Sequence, residues 1–327
     1  MVLAAIVLPF LLAVGWFGYQ ILTPTDPGRA ITFEVRKGWG VSDIGDELES
    51  RGVVGSSLAF QVWATVTRAG PFAAGQYRLH EDEGVRGAIR ILEAGPPHGD
   101  DLKLLLRPGL TIDQVAERVG KLPGHDKDKF LAVAKSNKVR SRYQPAEVTS
   151  LEGFLFPDTY FIGAKESDLS IVRKLVSRFD EIADRVGLNK ATRVSAYQTV
   201  VVASLVEKEA KLAEDAAPIA AVVYNRLQAN MQLQIDATLC YVKGGCPPPP
   251  TDADKAIESP YNTYKVTDLP PTPIAGVTEA SLKAALNPAD VPYLYYVIAD
   301  ASGKHAFATT LEEHNRNVEA ARAKGLL

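Results

Sequence analysis

The chain has 327 residues, 46% of them hydrophobic and 23% charged, with a formal net charge of -3. That length accommodates two modest domains or one large one with an appendage, and the proportions exclude a disordered polymer. A slightly acidic balance without a dense Lys/Arg stripe gives no electrostatic reason to expect nucleic acid as a partner.

From Met1 to Leu22 the sequence reads MVLAAIVLPFLLAVGWFGYQIL, with no charged side chain. A helix needs about 20 such residues to cross a bilayer, whereas a cleaved signal has a shorter apolar core of roughly 7–15. The run leads into Thr23-Pro24-Thr25 with no small-x-small cleavage pattern, so a transmembrane anchor is expected over 1–22. Pro9 is tolerable in a membrane helix when neighbours satisfy the freed backbone groups. No Lys or Arg precedes the span, while Arg29, Arg36 and Lys37 follow it. Those charges alone argue weakly for a cytoplasmic body, but a large following domain is translocated regardless of them.

After a linker over 23–29, a pattern recurs. Ile31 to Val35 reads as a strand, followed by Gly38 and a helical stretch carrying Val41, Ile44 and Leu48. Leu104-Leu105-Leu106, then Pro108-Gly109 and a helix with Ile112, Val115 and Val119, is a second copy. A fainter middle copy runs from Gln76-Tyr77-Arg78-Leu79 to Leu92. Ser42 and Thr111 are the expected helix caps. Units this short cannot bury an apolar face alone, so they are expected to pack as one or two small α+β modules over 30–145.

The character changes near Ser150, and a second domain is expected over 146–327. It opens on the aromatic segment LEGFLFPDTY, from Leu151 to Tyr160. Helices are predicted over 168–186 and 195–212, the latter opening on a Ser195/Gln198 capping box, and a third from Asp215, as cap, to Ala229. Cys240 and Cys246 bracket Tyr-Val-Lys-Gly-Gly. With no His at ligand spacing they make a poor zinc site. They either close a small loop in an oxidising compartment or are two unrelated thiols. The run Pro247 to Pro250 continues neither helix nor central strand. Tyr293 to Ala299 and His305 to Ala308 are predicted as a hairpin, and a last helix over 310–324 closes the chain.

Chemistry concentrates in Thr199-Val-Val-Val-Ala-Ser-Leu-Val-Glu207-Lys208-Glu209. On a helix Glu207 shares a face with Val200, Ala203, Ser204 and Ala210. If that face is packed, desolvation raises the carboxyl pKa and makes a proton donor suited to a glycosidic oxygen. The plain alternatives are that Glu207 marks the end of the buried helix, or pairs with Lys211 one turn on. Glu209 lies about 200° away and is not expected to share a small site with it. Asn225 sits in a Tyr-Asn-Arg run within a helix. Gln234, Asp236 and Thr238 would project together from an extended strand, as a solvent face or a sugar groove. Tyr261, Asn262 and Tyr264 fall in an aromatic turn that would serve as packing or as a sugar platform.

Together LEGFLFPDTY, ASLVEKEA, YNRL, LQIDAT, SPYNTY, ALNPAD and EHNRNV, in this order over the second half of the chain, resemble the MltG/YceG-like family of endolytic murein transglycosylases. The resemblance implies an α+β protein with an N-terminal transmembrane helix, a small LysM-like region associated with glycan binding, and a mixed α+β catalytic domain. It also implies a single-pass location in the cell membrane, with the body on the extracytoplasmic side, and it assigns Glu207 as the catalytic residue. Ile235 and Ala237 stand where Ser and Pro are commoner in the family, which puts local loop geometry in doubt.

The implied reaction cuts the MurNAc–GlcNAc bond with formation of a 1,6-anhydro end. One carboxylate serves both proton transfers, so no metal or cofactor is expected. The partners implied are peptidoglycan strands, the membrane and wall-synthesis proteins. A muramidase pairing Glu207 with Asp236, or a tethered glycan-binding scaffold with Glu207 structural, remain as alternatives.

Overall fold

The computed structural model describes residues 28–96, 102–163, 165–245 and 250–327. The expected anchor, the linker up to residue 27, Cys246 and Pro247 to Pro249 lie outside the described residues. No helix among the described residues is long and apolar enough to cross a membrane. The chain divides into two compact units, with the break between Asp101 and Leu102.

In the first unit β1 (Ala30–Val35) pairs antiparallel with β2 (Gly75–His80), in a register running from Ala30↔His80 to Val35↔Gly75. Alternation along both strands turns Phe33, Val35, Tyr77 and Leu79 inward. They meet Ile44 and Leu48 of α1 (Val41–Ser50), Phe60 of α2 (Ser57–Thr67) and Leu92 of α3 (Gly84–Glu93) in one core. Ser56 caps α2 by accepting from Ala59 N at 3.2 Å. Ser42 does not cap α1 as expected: the N-cap is Gly40, whose N–H donates to the Asp43 carboxylate at 2.8 Å.

The second unit opens with the same order of elements. Strand β3 (Leu102–Leu105), α4 (Ile112–Val119), α5 (Lys127–Ala134) and β4 (Thr159–Ile162) follow one another, with β3 and β4 antiparallel from Leu102↔Ile162 to Leu105↔Thr159. The repeating unit is therefore strand–helix–helix–strand, not strand–turn–helix. The presumed middle copy consists of β2 and α3, the closing strand of the first module and the helix after it. A short window catches only the opening half of each module, because the closing strand returns from far along the chain.

Leu104, Val115 and Phe130 share one core with Phe154, Leu175 and Phe179, so the expected boundary at 145/146 falls inside the second unit. This core is built on α6 (Asp168–Arg185), α7 (Ala196–Glu209), α8 (Ala213–Gln228) and α11 (Glu279–Leu286). Every residue of α7 from Thr199 to Val206 is buried, as befits a helix apolar on all sides. Two short helices, α9 (Asp236–Val242) and α10 (Asp252–Lys255), lie between α8 and α11. The hairpin β5 (Tyr295–Ile298) and β6 (His305–Ala308) precedes α12 (Leu311–Ala323), which Thr310 caps through a capping box.

Two further expectations are corrected. Asp215 is not the cap of α8 but sits buried in its first turn, where its carboxylate accepts from His305 N and faces His305 Nδ1, each at 2.9 Å. Gln234, Asp236 and Thr238 do not lie on a strand, because α9 begins at Asp236 and turns Thr238 into the core.

Candidate active site

The capping box at Ser195 starts α7, with Ser195 Oγ accepting from Gln198 N at 3.1 Å. At its far end one face is tied to the segment before α11. Ser204 Oγ accepts from Ile274 N at 3.0 Å, and Glu207, three residues on, reaches Thr278. Glu207 Oε2 accepts from Thr278 N at 3.0 Å and from Thr278 Oγ1 at 2.6 Å. Thr278 is also the N-cap of α11, so the Glu207 carboxyl group sits at the start of that helix. Glu207 is half-buried rather than enclosed. Among the described residues it forms no ion pair, with Lys211 or otherwise, and its Oε1 has no hydrogen-bond partner.

The chain around this carboxylate is tightly pinned. Gly109 N donates to Gly276 O at 3.1 Å, Gly276 N donates to Leu110 O at 2.8 Å, and Lys208 Nζ donates to Gly109 O at 3.3 Å. A Cβ on Gly276 would lie 3.3 Å from Leu155 O and 3.4 Å from Leu110 O, so this close approach favours glycine. Gly153, at φ +85°, is constrained similarly: a side chain there would come within 2.6 Å of Pro273 Cγ.

A second polar cluster lies beyond the end of α7. Tyr296 OH donates to Glu209 Oε2 at 3.0 Å, and Tyr264 OH donates to Asp236 Oδ1 at 2.5 Å. Burial pushes the Glu209 carboxyl up to about 7, with the Asp236 charge adding and the Tyr296 and Lys208 contacts opposing. Burial and the bond to Asp236 likewise hold the Tyr264 phenol well above its usual range. Asp236 and Gln234 are exposed, and Gln234 is held at φ +52° by its N–H donating to Thr263 O at 2.9 Å.

Of the residues singled out from sequence, Gln234, Asp236 and Tyr264 are brought together at this surface. Thr238 and Asn262 lie beneath it, fully buried. Thr238 Oγ1 donates to Ile235 O at 2.7 Å, and Asn262 Nδ2 donates to Lys255 O at 3.0 Å and Ile257 O at 2.7 Å. Tyr261 is half-buried, with its OH 2.9 Å from Thr272 Oγ1 and its ring tilted against Tyr241. Asn225 faces inward: its Nδ2 donates to Val291 O and Tyr293 O, both at 2.9 Å. Beside it the buried Arg226 donates to Leu294 O, Gln232 O and Leu233 O, so this pair latches the final hairpin to the end of α8.

Sequence reasoning passed over Thr278, Glu209 and Glu152. Thr278 was legible only as a helix cap, since nothing local links it to a residue 71 positions away. Glu209 was set aside for its angle around the helix; its neighbours Tyr296 and Asp236 come from distant segments. Glu152, 2% exposed, accepts from Ile112 N at 3.0 and 3.2 Å and from Tyr241 OH at 3.2 Å, and burial raises its carboxyl to about 8. Cys240, on α9, is disulfide-bonded.

The molecule is thus a mixed α+β body that holds Glu207, near the end of a buried helix, against the cap of a second helix. The profile of the YceG-like family matches residues 33–320, and the chain belongs to that family. Over 321 residues it is 31% identical to a Bacillus subtilis (strain 168) protein named endolytic murein transglycosylase, covering 93% of this chain and 88% of that protein. A Streptococcus pneumoniae (strain D39) protein of the same name is 30% identical over 346 residues, and the match spans 63% of its length. The crystal structure of a YceG-like protein from Listeria monocytogenes superposes with a TM-score of 0.58 at 31% identity, covering 88% of this chain and 99% of that one.

Proposed function

We propose that this chain is an endolytic lytic transglycosylase that cuts the MurNAc–GlcNAc bond of peptidoglycan strands, with Glu207 as its acid and base. The observation that carries this reading is the asymmetric holding of the carboxyl group: Thr278 occupies Oε2 with two donors and leaves Oε1 unpartnered. Both contacts treat Oε2 as an acceptor, which suits a carboxylate and the carbonyl oxygen of a carboxylic acid alike. Oε1 is then the atom that carries the proton. It protonates the bridging oxygen as the MurNAc C1–O bond breaks, and the C6 hydroxyl of the same sugar attacks C1. Oε1 takes the hydroxyl proton, which restores the acid for the next turnover. The nucleophile is part of the substrate, so a second carboxylate is not required. Asp236, the partner a muramidase would need, accepts from Tyr264 OH at 2.5 Å and adds its charge to the surroundings of Glu209.

Gln234, Asp236 and Tyr264 are proposed to orient sugar, with Tyr261 beside them and Thr238, Asn262 and Asn225 holding the scaffold underneath. The strand–helix–helix–strand modules support the LysM-like reading of the N-terminal part, the apolar run over 1–22 supports single-pass anchoring, and membership of the YceG-like family supports a body outside the cytoplasm. An enzyme so tethered is placed to end glycan strands beside the proteins that synthesise them.

The test is mass spectrometry of glycan strands digested by the full chain and by Glu207→Gln. Anhydro ends from the wild type and a loss of about 10²–10⁴-fold in the variant are expected. Reducing ends instead of anhydro ends, or full activity in the variant, would overturn the assignment.

A further inference from the structure

A groove of about 500 Å³ runs between β3 and α4 of the second unit, a volume suited to a ligand of a few residues. Its walls combine apolar and cationic groups: Leu105 and Leu110 with Lys103, Arg118 and Lys121. Leu105 is 46% exposed, a large apolar side chain left uncovered. Among the described residues none of the three cations forms an ion pair or side-chain hydrogen bond, whereas Lys127 and Lys135 of the same module are paired with Glu117 and Asp113. Glu117 is the one acid in the wall. Three uncompensated positive charges beside leucines, in a chain of net charge -3, call for an anionic ligand with short apolar parts.

The groove adjoins the candidate acid through a short backbone path. Leu110 lines it, Leu110 O accepts from Gly276 N at 2.8 Å, and Thr278, two residues further, holds Glu207. The groove and the candidate acid therefore lie in the same unit, joined through Leu110, Gly276 and Thr278.

We propose that the groove between β3 and α4 binds the acidic peptide arm borne by the glycan substrate, its carboxylates on Lys103, Arg118 and Lys121 and its alanine methyl on the leucines. The assignment rests on the reading of the chain as a peptidoglycan enzyme. The groove thus selects peptide-bearing strands over bare ones, a specificity separate from the proton chemistry at Glu207.

The experiment uses the full chain and a triple variant, Lys103→Glu with Arg118→Glu and Lys121→Glu, all at positions outside the core. Binding is read first, by calorimetric titration of N-acetyl-L-alanyl-γ-D-glutamyl-L-lysine into the Glu207→Gln background. Saturable binding, weakened at least tenfold by the triple variant, is expected; no binding, or binding that the charge reversal leaves unchanged, overturns the proposal. Cleavage is read second, with Glu207 intact. On peptide-bearing strands KM should rise about tenfold with kcat unchanged, and on strands stripped of peptide neither should move. An equal loss on stripped strands would assign the groove to sugar and overturn the peptide assignment. The titration does not depend on cleavage, so failure of the catalytic reading and failure of this one are told apart.

Discussion

Thr278 does two jobs with one side chain: its hydroxyl donates to Glu207 Oε2 while accepting from Ser281 N at 3.2 Å. Serine preserves both contacts and valine neither. Thr278→Ser should keep most activity, whereas Thr278→Val should lower the rate of anhydro-end release about tenfold or more and cost roughly 1 kcal/mol of stability through the lost cap. Release rates and thermal melts on the two variants check this, and equal activity in both would deny the threonine its orienting part. Glu152 makes a prediction of another kind. Its carboxyl has an ordinary value of 4.5 and is pushed up to about 8 in the fold, so the native state binds the proton more tightly. The contribution is fully present below pH 4.5 and is lost as pH rises through about 8. Unfolding free energy should therefore decline across that window, and Glu152→Gln should flatten the decline; denaturant titrations at pH 5 and pH 8 measure the difference.

Among elements, α7 was the most legible, because its capping box, its apolar run and its terminal acids are all local signals. Its exit was not. The expected helix continued to Leu212, yet it stops at Glu209, with Ala210 extended. Substituting the cap, Ser195→Ala, should cost about 1 kcal/mol. The YNRL segment shows the opposite case. Helical spacing placed Asn225 and Arg226 on a helix correctly, but it suggested Asn225 as a substrate-binding residue and an ordinary surface or salt-bridging role for Arg226. The structure spends both on backbone carbonyls of the final hairpin and of the turn at Gln232-Leu233. Asn225→Ala leaves the carbonyls of Val291 and Tyr293 without that partner, at about 1–3 kcal/mol. Hydrogen exchange should speed up in β5 and β6 before the rest of the unit; unchanged exchange there would show that the latch is not what holds the hairpin.

Across the molecule, each unit has its own core, and the two share no residue. Phe60 and Phe179 are fully buried in one core each. Truncating either to alanine should cost about 3–5 kcal/mol in its own unit, with the damage read by exchange protection in that core.

The residues alone determined the helices with strong caps and the closing hairpin, because these depend on periodicity and on groups within one turn of each other; they singled out Glu207 with plain alternatives beside it, and the family resemblance named it as the candidate acid. Only the tertiary structure decided which Thr holds Glu207, that Thr238 and Asn262 face inward, and that residues 102–145 belong with the second unit. Each of those outcomes depends on which distant segment supplies the hydrogen-bond partner or the covering surface, and such pairings leave no trace in local spacing.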